Sequence, residues 1–395
     1  MPSEYRATTK AGVAIAGGRR PRVLAFESWD DGSHRAVRES ISQHGQFHWH
    51  WVTLPRGHWR WRMRLGAAAL VQIARDQGVL GDDQQWDAIF VTSLCSVSDL
   101  AAMLPSHLST VPRVLYMHEN QAAYPCASGR EDQRDHHLAL TNLTSMLASQ
   151  CVLWNSNWNR QSFVAGIEEL LTHEHEGLGL GVLDRSLVNS KIAWPPVEAT
   201  SRTDRRVLHN ANEAKQRGLS LVVWPHRWEH DKGPEELLAI EHQYGAAHRL
   251  GWVVCGQQFQ QQPEAFEALQ ASAGDRLIHA GWLPRQAYET WLWECDWVLS
   301  TATHEFFGIA VVEAMLAGCL PWLPARLSYP ELLPEIAVGL SPMHPTDHAD
   351  IVTQAIGMHL ADAAAPAAVA RIEAAITGVL PEQSASAGLS PHSRR

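Results

Sequence analysis

The sequence predicts an α/β protein made of two doubly wound domains that face each other across a cleft. Short apolar runs of strand length alternate with stretches of helical periodicity, an order typical of parallel sheets covered by helices. This order occurs twice, and a polar segment at residues 192–212 separates the two halves. A chain of 395 residues is also too long for one ordinary domain and fits two.

The N-terminal half contains four apolar runs that we predict to be buried strands. None of them alternates polar with apolar residues, as expected of strands covered on both faces. They are residues 22–26, 88–91, 114–116 and 151–154. Between them we predict helices at 98–104 and 157–171, the second with Ser156 as its N-cap.

The C-terminal half repeats the pattern. Its predicted strands are residues 219–224, 252–255, 276–279 and 297–300. Its predicted helices are residues 234–244, 284–294 and 309–317. Pro234 and Pro284 suit the first position of a helix, because the missing N–H would have no partner there.

We place an N-terminal domain at residues 21–200 and a C-terminal domain at residues 213–378. Residues 1–20 lack the order of charge and apolar run that a secretory signal has, so we expect a flexible tail. Residues 379–395 are rich in Ser, Pro and Ala, and we expect a disordered tail.

Composition narrows the class of protein. The formal net charge of −10 argues against a surface coated for nucleic acid, while a local basic patch is compatible with it. No apolar run reaches the ~20 residues that a membrane-spanning helix needs. The cysteines are scattered without a Cys-x-x-Cys pair, which favours reduced thiols in a cytoplasmic protein. They are Cys95, Cys126, Cys151, Cys255, Cys295 and Cys319.

Three polar clusters directly follow predicted strands. In doubly wound sheets the ligand binds beyond the carboxyl ends of the strands, so we expect these clusters to line the cleft. They are residues 117–121, 224–234 and 300–315.

Arg227 and Lys232 lie on one predicted strand-to-helix loop that ends in Gly-Pro. Two cations beside the free N–H groups of a helix N-terminus suit a diphosphate. The alternative is that the acids of the loop pair with them; these are Glu229, Asp231 and Glu235. The chain has only four lysines, and finding one of them in a polar loop after a strand favours the phosphate site.

Glu305 and Glu313 bracket a Phe-Phe-Gly segment, and a helix is predicted to begin near Gly308. A carboxylate can accept hydrogen bonds from two adjacent hydroxyl groups, so Glu305 suits a sugar and Glu313 a ribose. Eight helical residues rise about 12 Å, too far for the ~5.5 Å between the acids of a retaining hydrolase. The alternative is that Glu305 is an ordinary first-turn acid and Glu313 faces solvent.

His118 follows the third predicted strand, and its neighbours Glu119 and Asn120 indicate a polar pocket. A core histidine with a satisfied partner is the alternative. There is no His-Glu-x-x-His motif or Cys/His grid, and residues 173–176 are expected to be solvated at a helix end. We therefore expect no metal.

A last cluster interleaves arginines, including Arg60 and Arg62, with aromatic residues at 56–64. Such alternation suits phosphate contact and base stacking on RNA. The alternative is a strand with one apolar face.

These motifs resemble the tRNA-queuosine alpha-mannosyltransferase family, within the retaining GT-B glycosyltransferases of group 1. The Glu-x7-Glu pattern that begins at Glu305 is typical of group 1, and the other clusters are more specific to the family. The similarity runs from about Val23 to about Pro334. The segments that carry it are 32–34, 58–62, 118–121, 224–232, 304–308 and 328–331.

The resemblance implies two Rossmann-like domains and transfer of mannose from GDP-mannose to queuosine in a tRNA anticodon. GDP-mannose is then a substrate, and no cofactor is implied. Arg227 and Lys232 would bind the diphosphate, and Glu313 the ribose. The catalytic residues would be His118 and Glu305, in contact with the sugar. The other implied donor contacts are the backbone of Phe306, Phe307 and Gly308 and, near the guanine, Gly281 and Trp282.

On the opposite side of the cleft, the resemblance implies contacts to the acceptor or the phosphates by Gly32, Ser33, His34 and Asn120. The implied partners are a nucleotide sugar and queuosine-containing tRNA, without stable membrane association. In this class the acceptor attacks the face from which the nucleotide leaves, so the anomeric configuration is kept.

Two other functions remain open. A group 1 transferase acting on a lipid or polysaccharide would favour a basic amphipathic surface helix, for which residues 58–70 are the nearest candidate. A catalytically idle nucleotide-sugar or RNA-binding protein is the other alternative, and the complete set of site residues argues against it.

Overall fold

The computed structural model describes residues 19–124, 135–172, 181–198, 208–257 and 263–381, which form two parallel sheets with helices on both faces. Most of the two predicted tails, 1–20 and 379–395, lies outside the described residues. So do Cys126, the predicted solvated cluster at 173–176 and the middle of the predicted linker at 192–212.

The first sheet has six parallel strands in the order β2-β1-β3-β4-β5-β6. They are β1 (Arg22–Asp30), β2 (His48–Pro55), β3 (Ala88–Thr92), β4 (Arg113–Met117), β5 (Cys151–Trp154) and β6 (Ser190–Ile192). The four predicted strands are confirmed. We missed the edge strands β2 and β6, because β2 is a polar–aromatic alternation and β6 is only three residues long.

Six α-helices of the N-terminal half lie in the described residues. They are α1 (Gly32–His44), α2 (Trp59–Asp76), α3 (Val97–Met103), α4 (His136–Leu147), α5 (Asn157–Leu171) and α6 (Val182–Leu187). The predicted N-cap of α5 is confirmed, since Ser156 Oγ accepts a hydrogen bond from Asn159 N at 2.9 Å. Helix α2 shows that the arginine-rich segment is not the strand we considered.

The second sheet has five parallel strands in the order β11-β10-β7-β8-β9. They are β7 (Ser220–Trp224), β8 (Leu250–Cys255), β9 (Leu277–Gly281), β10 (Trp297–Leu299) and β11 (Leu320–Trp322). The strand β11 was not predicted, and the other four are confirmed to within a few residues.

The helices of this half include α7 (His209–Gln216), α8 (Pro234–Ile240), α9 (Ala265–Ala273), α10 (Arg285–Glu294), α11 (Ile309–Ala317), α12 (Tyr329–Leu332) and α13 (Ala349–His359). The predicted bounds of α11 are confirmed. Pro284 is the N-cap of α10 instead of its first residue. The predicted helix 234–244 changes to a π-helical turn at Glu241–Gly245.

The last helix, α14 (Ala365–Thr377), returns to the N-terminal sheet. Its apolar face, which includes Val369 and Ile372, packs against residues of β1 and β3. The buried carboxylate of Glu373 accepts hydrogen bonds from Phe47 N at 2.9 Å and from Trp49 Nε1 at 3.0 Å. The predicted C-terminal domain, 213–378, therefore ends in a helix that packs on the other half.

Strand order determines where a ligand can bind. In the first sheet β1 lies between β2 and β3, so the chain continues on one side of β1 and then on the other. In the second sheet β7 lies between β8 and β10 in the same way. Such switch points open a crevice at the carboxyl ends of the strands.

No helix in the described parts of the chain is long and apolar enough to cross a membrane.

Candidate active site

The loop after β7 places a buried lysine at the crevice of the second sheet. Lys232 Nζ donates to the carbonyl oxygen of His304 at 2.8 Å and lies 3.1 Å from Asp231 Oδ2. It also lies 3.5 Å from Glu305 Oε2, on the loop after β10. Burial opposes the charge of Lys232, but Glu305 and Asp231 outweigh it and raise the pKa of the ammonium. The crevice therefore contains a permanent cation.

Backbone bonds join the two loops. Thr303 N donates to Asp231 O at 2.9 Å, and Thr301 Oγ1 donates to Lys232 O at 2.8 Å. Gly233, with a φ of +67°, lies so close that a Cβ atom there would be 2.1 Å from Thr301 O. Only glycine fits such an approach, so the sequence holds the two loops in one arrangement.

Glu305 and Gly308 lie where helix α11 begins. Burial favours the neutral form of Glu305, but Lys232, with His226 and His304, lowers the pKa of this carboxyl below its ordinary value. Gly308 is the N-cap of α11 with a φ of +97°, a left-handed conformation that favours glycine. An ionised acid and the N-terminus of a helix therefore lie next to the buried cation.

Glu313 lies inside α11 and does not face solvent, being only 8 % exposed. Arg285 Nη1, at the start of α10, donates to Glu313 Oε1 at 2.6 Å. Burial raises the pKa of Glu313 even though Arg285 acts in the other direction. Sequence reasoning missed Arg285, although its position directly after the Pro284 N-cap was a usable signal.

Arg227 is exposed and pairs with Glu229, with 3.1 Å between Nη2 and Oε2. With the contact between Lys232 and Asp231, two of the loop ion pairs that we weighed as the alternative are therefore present. The charge of Arg227 also acts on Glu119 of the N-terminal half. Burial raises the pKa of Glu119, and His34 and Arg227 oppose that rise. Arg227 of the C-terminal half is thus close enough to act electrostatically on the N-terminal half.

His118 directly follows β4 in the N-terminal half. It is 7 % exposed, and its Nε2 atom is buried without a hydrogen-bond partner among the described residues. The ring stacks on His34 with 3.9 Å between centroids, and it makes a T-shaped contact with Tyr116 with 4.7 Å between centroids. Burial lowers the pKa of His118 well below its ordinary value, and the charge of His34 lowers it further. His118 is therefore a neutral, partly unsatisfied imidazole.

Contacts between the two halves hold the loop after β10 in place. Ser156 Oγ donates to Phe306 O at 2.5 Å. The carboxylate of Glu331 accepts hydrogen bonds from Asn157 N at 2.9 Å and Trp158 N at 3.2 Å, which are the first amides of α5. A residue of the C-terminal half thus caps a helix of the N-terminal half. We had noted Glu331 only as part of a motif, without a role.

The two halves of the chain match two different families of known proteins. Residues 22–196 match the profile of the tRNA-queuosine alpha-mannosyltransferase N-terminal domain, and residues 208–332 match the glycosyl transferases group 1 profile. A tRNA-queuosine alpha-mannosyltransferase of Drosophila melanogaster is 30% identical over 324 residues, which cover 80% of this chain and 82% of that protein.

The chain belongs to the tRNA-queuosine alpha-mannosyltransferase family. With its group 1 domain it is a glycosyltransferase, as the sequence motifs predicted.

Solved structures that resemble this family member confirm the GT-B fold. HepE of Anabaena, in complex with UDP and glucose, superposes with a TM-score of 0.56 at 15% identity, covering 91% of this chain and 100% of that chain. The sucrose-phosphate synthase of Thermosynechococcus elongatus gives a TM-score of 0.53 at 16% identity, covering 91% and 95%. At such low identity these likenesses show the fold alone.

The other residues predicted for the site lie at the ends of strands or at the start of a helix. Gly32 and Ser33 are exposed at the start of α1. Gly281 ends β9, where its carbonyl accepts from Gly256 N at 3.1 Å, and Trp282 is 66% exposed. Asn120 is fully buried, and its amide donates to Asn159 Oδ1 at 2.8 Å, which accounts for this side chain without a ligand.

The two predicted arginines differ in their surroundings. Arg62 Nη2 donates to Pro55 O at 2.8 Å, so this side chain folds back on the loop before α2. Arg60 is exposed, with its guanidinium over the ring of Trp59 at 5.3 Å. The next residue, Trp61, is 66 % exposed, which leaves Arg60 and Trp61 as the accessible pair.

One cluster of potential metal ligands exists among the described residues: Glu27, His34 and His118, with donor atoms within 4.8 Å of one another. The two imidazole rings, however, stack face to face with 25° between their planes. A histidine ligates a metal through a lone pair in its ring plane, and stacked rings direct these lone pairs side by side instead of toward one point. The arrangement therefore suits stacking better than metal ligation.

Proposed function

We propose that this protein transfers mannose from GDP-mannose to queuosine in the anticodon of a tRNA, with retention of the anomeric configuration. The observation that carries the donor side is the pairing of Lys232 with Glu305 at the switch point of the second sheet. Membership of the family supports the acceptor and the sugar.

The donor diphosphate would bind between the cations of the β7 loop and the N-terminus of α11. Lys232 supplies a buried charge, and Arg227 an exposed one that can move onto a phosphate. The free amides after Gly308 add further donors. Because these groups neutralise the leaving diphosphate, the reaction needs no metal ion in this proposal.

The sugar and the nucleoside would occupy the flanks of this site. The ionised carboxylate of Glu305 accepts hydroxyl groups of the sugar, and His118 contacts the sugar from the opposite half. Glu313 would bind the ribose by sharing its carboxylate between the hydroxyl groups and Arg285, which now contacts only one of its oxygens. The guanine would lie near Gly281 and Trp282, whose indole is exposed for stacking.

In the proposed reaction the bond between the anomeric carbon and the diphosphate breaks while the acceptor hydroxyl attacks the same face. The proton of that hydroxyl passes to the departing phosphate oxygen. Glu305 is ionised because Lys232 lowers its pKa, so it acts by binding hydroxyl groups and not as an acid. A site of fixed charges then stabilises the transition state without a protein nucleophile.

The acceptor would be held on the N-terminal half. Gly32, Ser33 and His34 lie at the start of α1, where the N-terminus of a helix favours a phosphate. Arg60 and Trp61 provide a cation and a stacking surface further out. We further propose a cytoplasmic protein without stable membrane association, since tRNA is its substrate.

A lipid acceptor is the second candidate. Trp61 and Leu65 are 66 % and 57 % exposed, one helical turn apart on α2, and arginines flank them. Such a face also suits the surface of an anionic membrane.

The deciding experiment incubates the protein with GDP-mannose and bulk tRNA from cells with and without queuosine, followed by mass analysis of the nucleosides. We expect a hexose increment on queuosine in the first sample and none in the second. Transfer to a lipid acceptor in liposomes, with none to tRNA, would favour the second candidate. Binding of GDP-mannose with no transfer to either would indicate an idle protein.

A further inference from the structure

A buried carboxylate lies behind the histidine pair of the cleft. Glu27, near the end of β1, is 0% exposed. Both of its carboxylate oxygens lie 3.1 Å from Nδ1 of His34, and Trp29 N donates to Oε1 at 2.7 Å. The carboxylate is therefore fixed from two directions, and it can accept a hydrogen bond from an Nδ1–H group of His34.

The ring of His34 transmits this constraint to His118. The two rings stack with 3.9 Å between centroids, and Tyr116 makes a T-shaped contact with His118 at 4.7 Å between centroids. Because His118 is buried, a rotation of its ring away from this stack would break the contact with His34. The position of His118 therefore depends on the bond between His34 and Glu27.

The charges of the two histidines differ. Burial opposes the positive form of His34, but Glu27, with Glu119 after β4 and Asp30 on β1, outweighs it and raises the pKa of His34. For His118, burial and the charge of His34 both lower the pKa. Of the two rings, His34 thus binds a proton more readily than an ordinary histidine, whereas His118 favours the neutral form.

We propose that Glu27 is a positioning residue, which holds His34 as an imidazolium against His118 and thereby fixes His118 as a neutral imidazole with its proton on Nδ1. The buried Nε2 of His118 has no partner in the described part of the chain. A bare lone pair costs less there than an unpaired N–H, particularly beside a cation. Nδ1–H is then the group that donates to the sugar.

This inference rests on the proposed function for the contact between His118 and the sugar. A neutral donor there binds a hydroxyl group without placing a positive charge beside the oxocarbenium-like transition state. In this proposal the positive charge is on His34, one ring further from the sugar than His118.

Nitrogen-15 NMR of the full-length protein labelled on histidine tests the charges directly, without relying on activity. Spectra from pH 5.5 to 8.5 are compared between the wild type and Glu27→Gln, with signals assigned by substitution of His34 and His118. We expect His34 to be doubly protonated at pH 7 and His118 to be the neutral Nδ1–H form throughout. In Glu27→Gln the titration of His34 moves at least one pH unit lower. A neutral His34, or a proton on Nε2 of His118, in the wild type would overturn the proposal even if the variant failed to fold.

The pH profile of mannose transfer separates positioning from a merely structural role. We expect the wild-type rate to be flat between pH 6 and 8. Glu27→Gln should be roughly tenfold slower at pH 8, the value of one charge-assisted hydrogen bond, and should recover toward pH 6 as His34 regains its proton. The matched control is Glu198→Gln, which breaks the 3.1 Å pair between Glu198 and His44 at the other end of α1 and should leave the profile unchanged. An equal loss at every pH in Glu27→Gln would contradict the positioning role.

Discussion

Lys232 Nζ lies 3.5 Å from Glu305 Oε2, although the two residues follow different strands. The loops meet because β7 and β10 are neighbours at the switch point of the sheet. The pair brings a buried cation and an ionised acid to the edge of the crevice, together with the N-terminus of α11. Three predictions concern the residues that support this arrangement, a fourth concerns the RNA surface, and a fifth tests Lys232 itself.

The contact between Gly233 and Thr301 should not tolerate a side chain. Gly233→Ala adds a Cβ atom 2.1 Å from Thr301 O, in a residue with a φ of +67°. Gly78→Ala is the matched control, because Gly78 has a φ of +71° but an added Cβ meets no atom within 4 Å. Both variants incur about 1 kcal/mol of backbone strain. In urea unfolding we expect Gly233→Ala to lose at least ~2 kcal/mol more than Gly78→Ala. Equal losses would show that the two loops are not in close contact.

His226 should make the protein sensitive to acid. Burial, assisted by the charge of Lys232, lowers the pKa of this imidazole to about 3, and its Nε2 lies 3.0 Å from Ser300 Oγ. The unfolded chain takes up this proton below about pH 6.5, whereas the folded protein does not. The free energy of unfolding should therefore fall as the pH drops, by about 2 kcal/mol from this residue between pH 7.5 and 5.

Urea unfolding of wild type and His226→Gln at several pH values measures this slope. We expect the variant to show the smaller dependence on pH in this range. The prediction fails if both proteins have the same slope.

Glu331 should couple the two halves. Glu331→Gln removes a negative charge from the N-terminus of α5, which normally contributes about 1 kcal/mol. Since the same helix is capped by Ser156, whose hydroxyl also contacts Phe306 O, we expect slower transfer as well as lower stability. Glu335→Gln, an exposed neighbour, is the control. The midpoint of thermal unfolding measures stability, and kcat measures the rate of transfer. If Glu331→Gln equals Glu335→Gln in both, Glu331 does not couple the two halves.

Arg60 should contact tRNA and not the donor. Arg60→Ala should weaken tRNA binding about threefold and reduce the slope of log affinity against log salt by about one. The affinity for GDP-mannose should stay the same. The control is Arg217→Ala, which removes an exposed arginine of the C-terminal half that is paired with Asp275. Filter binding at several salt concentrations provides the measurement. Unchanged tRNA binding would show that Arg60 is not part of the RNA-binding surface.

Much of the fold could be predicted because local signals agree with it. Helix α11 was bounded correctly since Gly308 and Gly318 flank an apolar run, and both glycines adopt left-handed conformations. The edge strand β2 was missed because only one of its faces is well buried, which gives an alternating pattern unlike that of the central strands. Local pattern thus predicts the central elements better than the edges.

The candidate site was predicted only in part for a different reason. The loops could be located, because position after a strand is a local property. Partners that come together through tertiary structure could not be found. Examples are the bond of Glu331 to the first turn of α5, the stack of His34 on His118, and the contact of Arg285 with Glu313. Arg62 likewise looked like a surface cation, and its bond to Pro55 O depends on the turn before α2.

The most direct test of the central claim, that Lys232 binds the donor diphosphate in the crevice, is calorimetric titration of GDP-mannose into Lys232→Met. The control is Lys215→Met, which removes a lysine that is paired with Glu294 outside the site. We predict that Lys232→Met weakens GDP-mannose binding at least tenfold, because a charge-assisted bond to phosphate is lost, while Lys215→Met binds like the wild type. Equal affinities in the two variants would contradict the account.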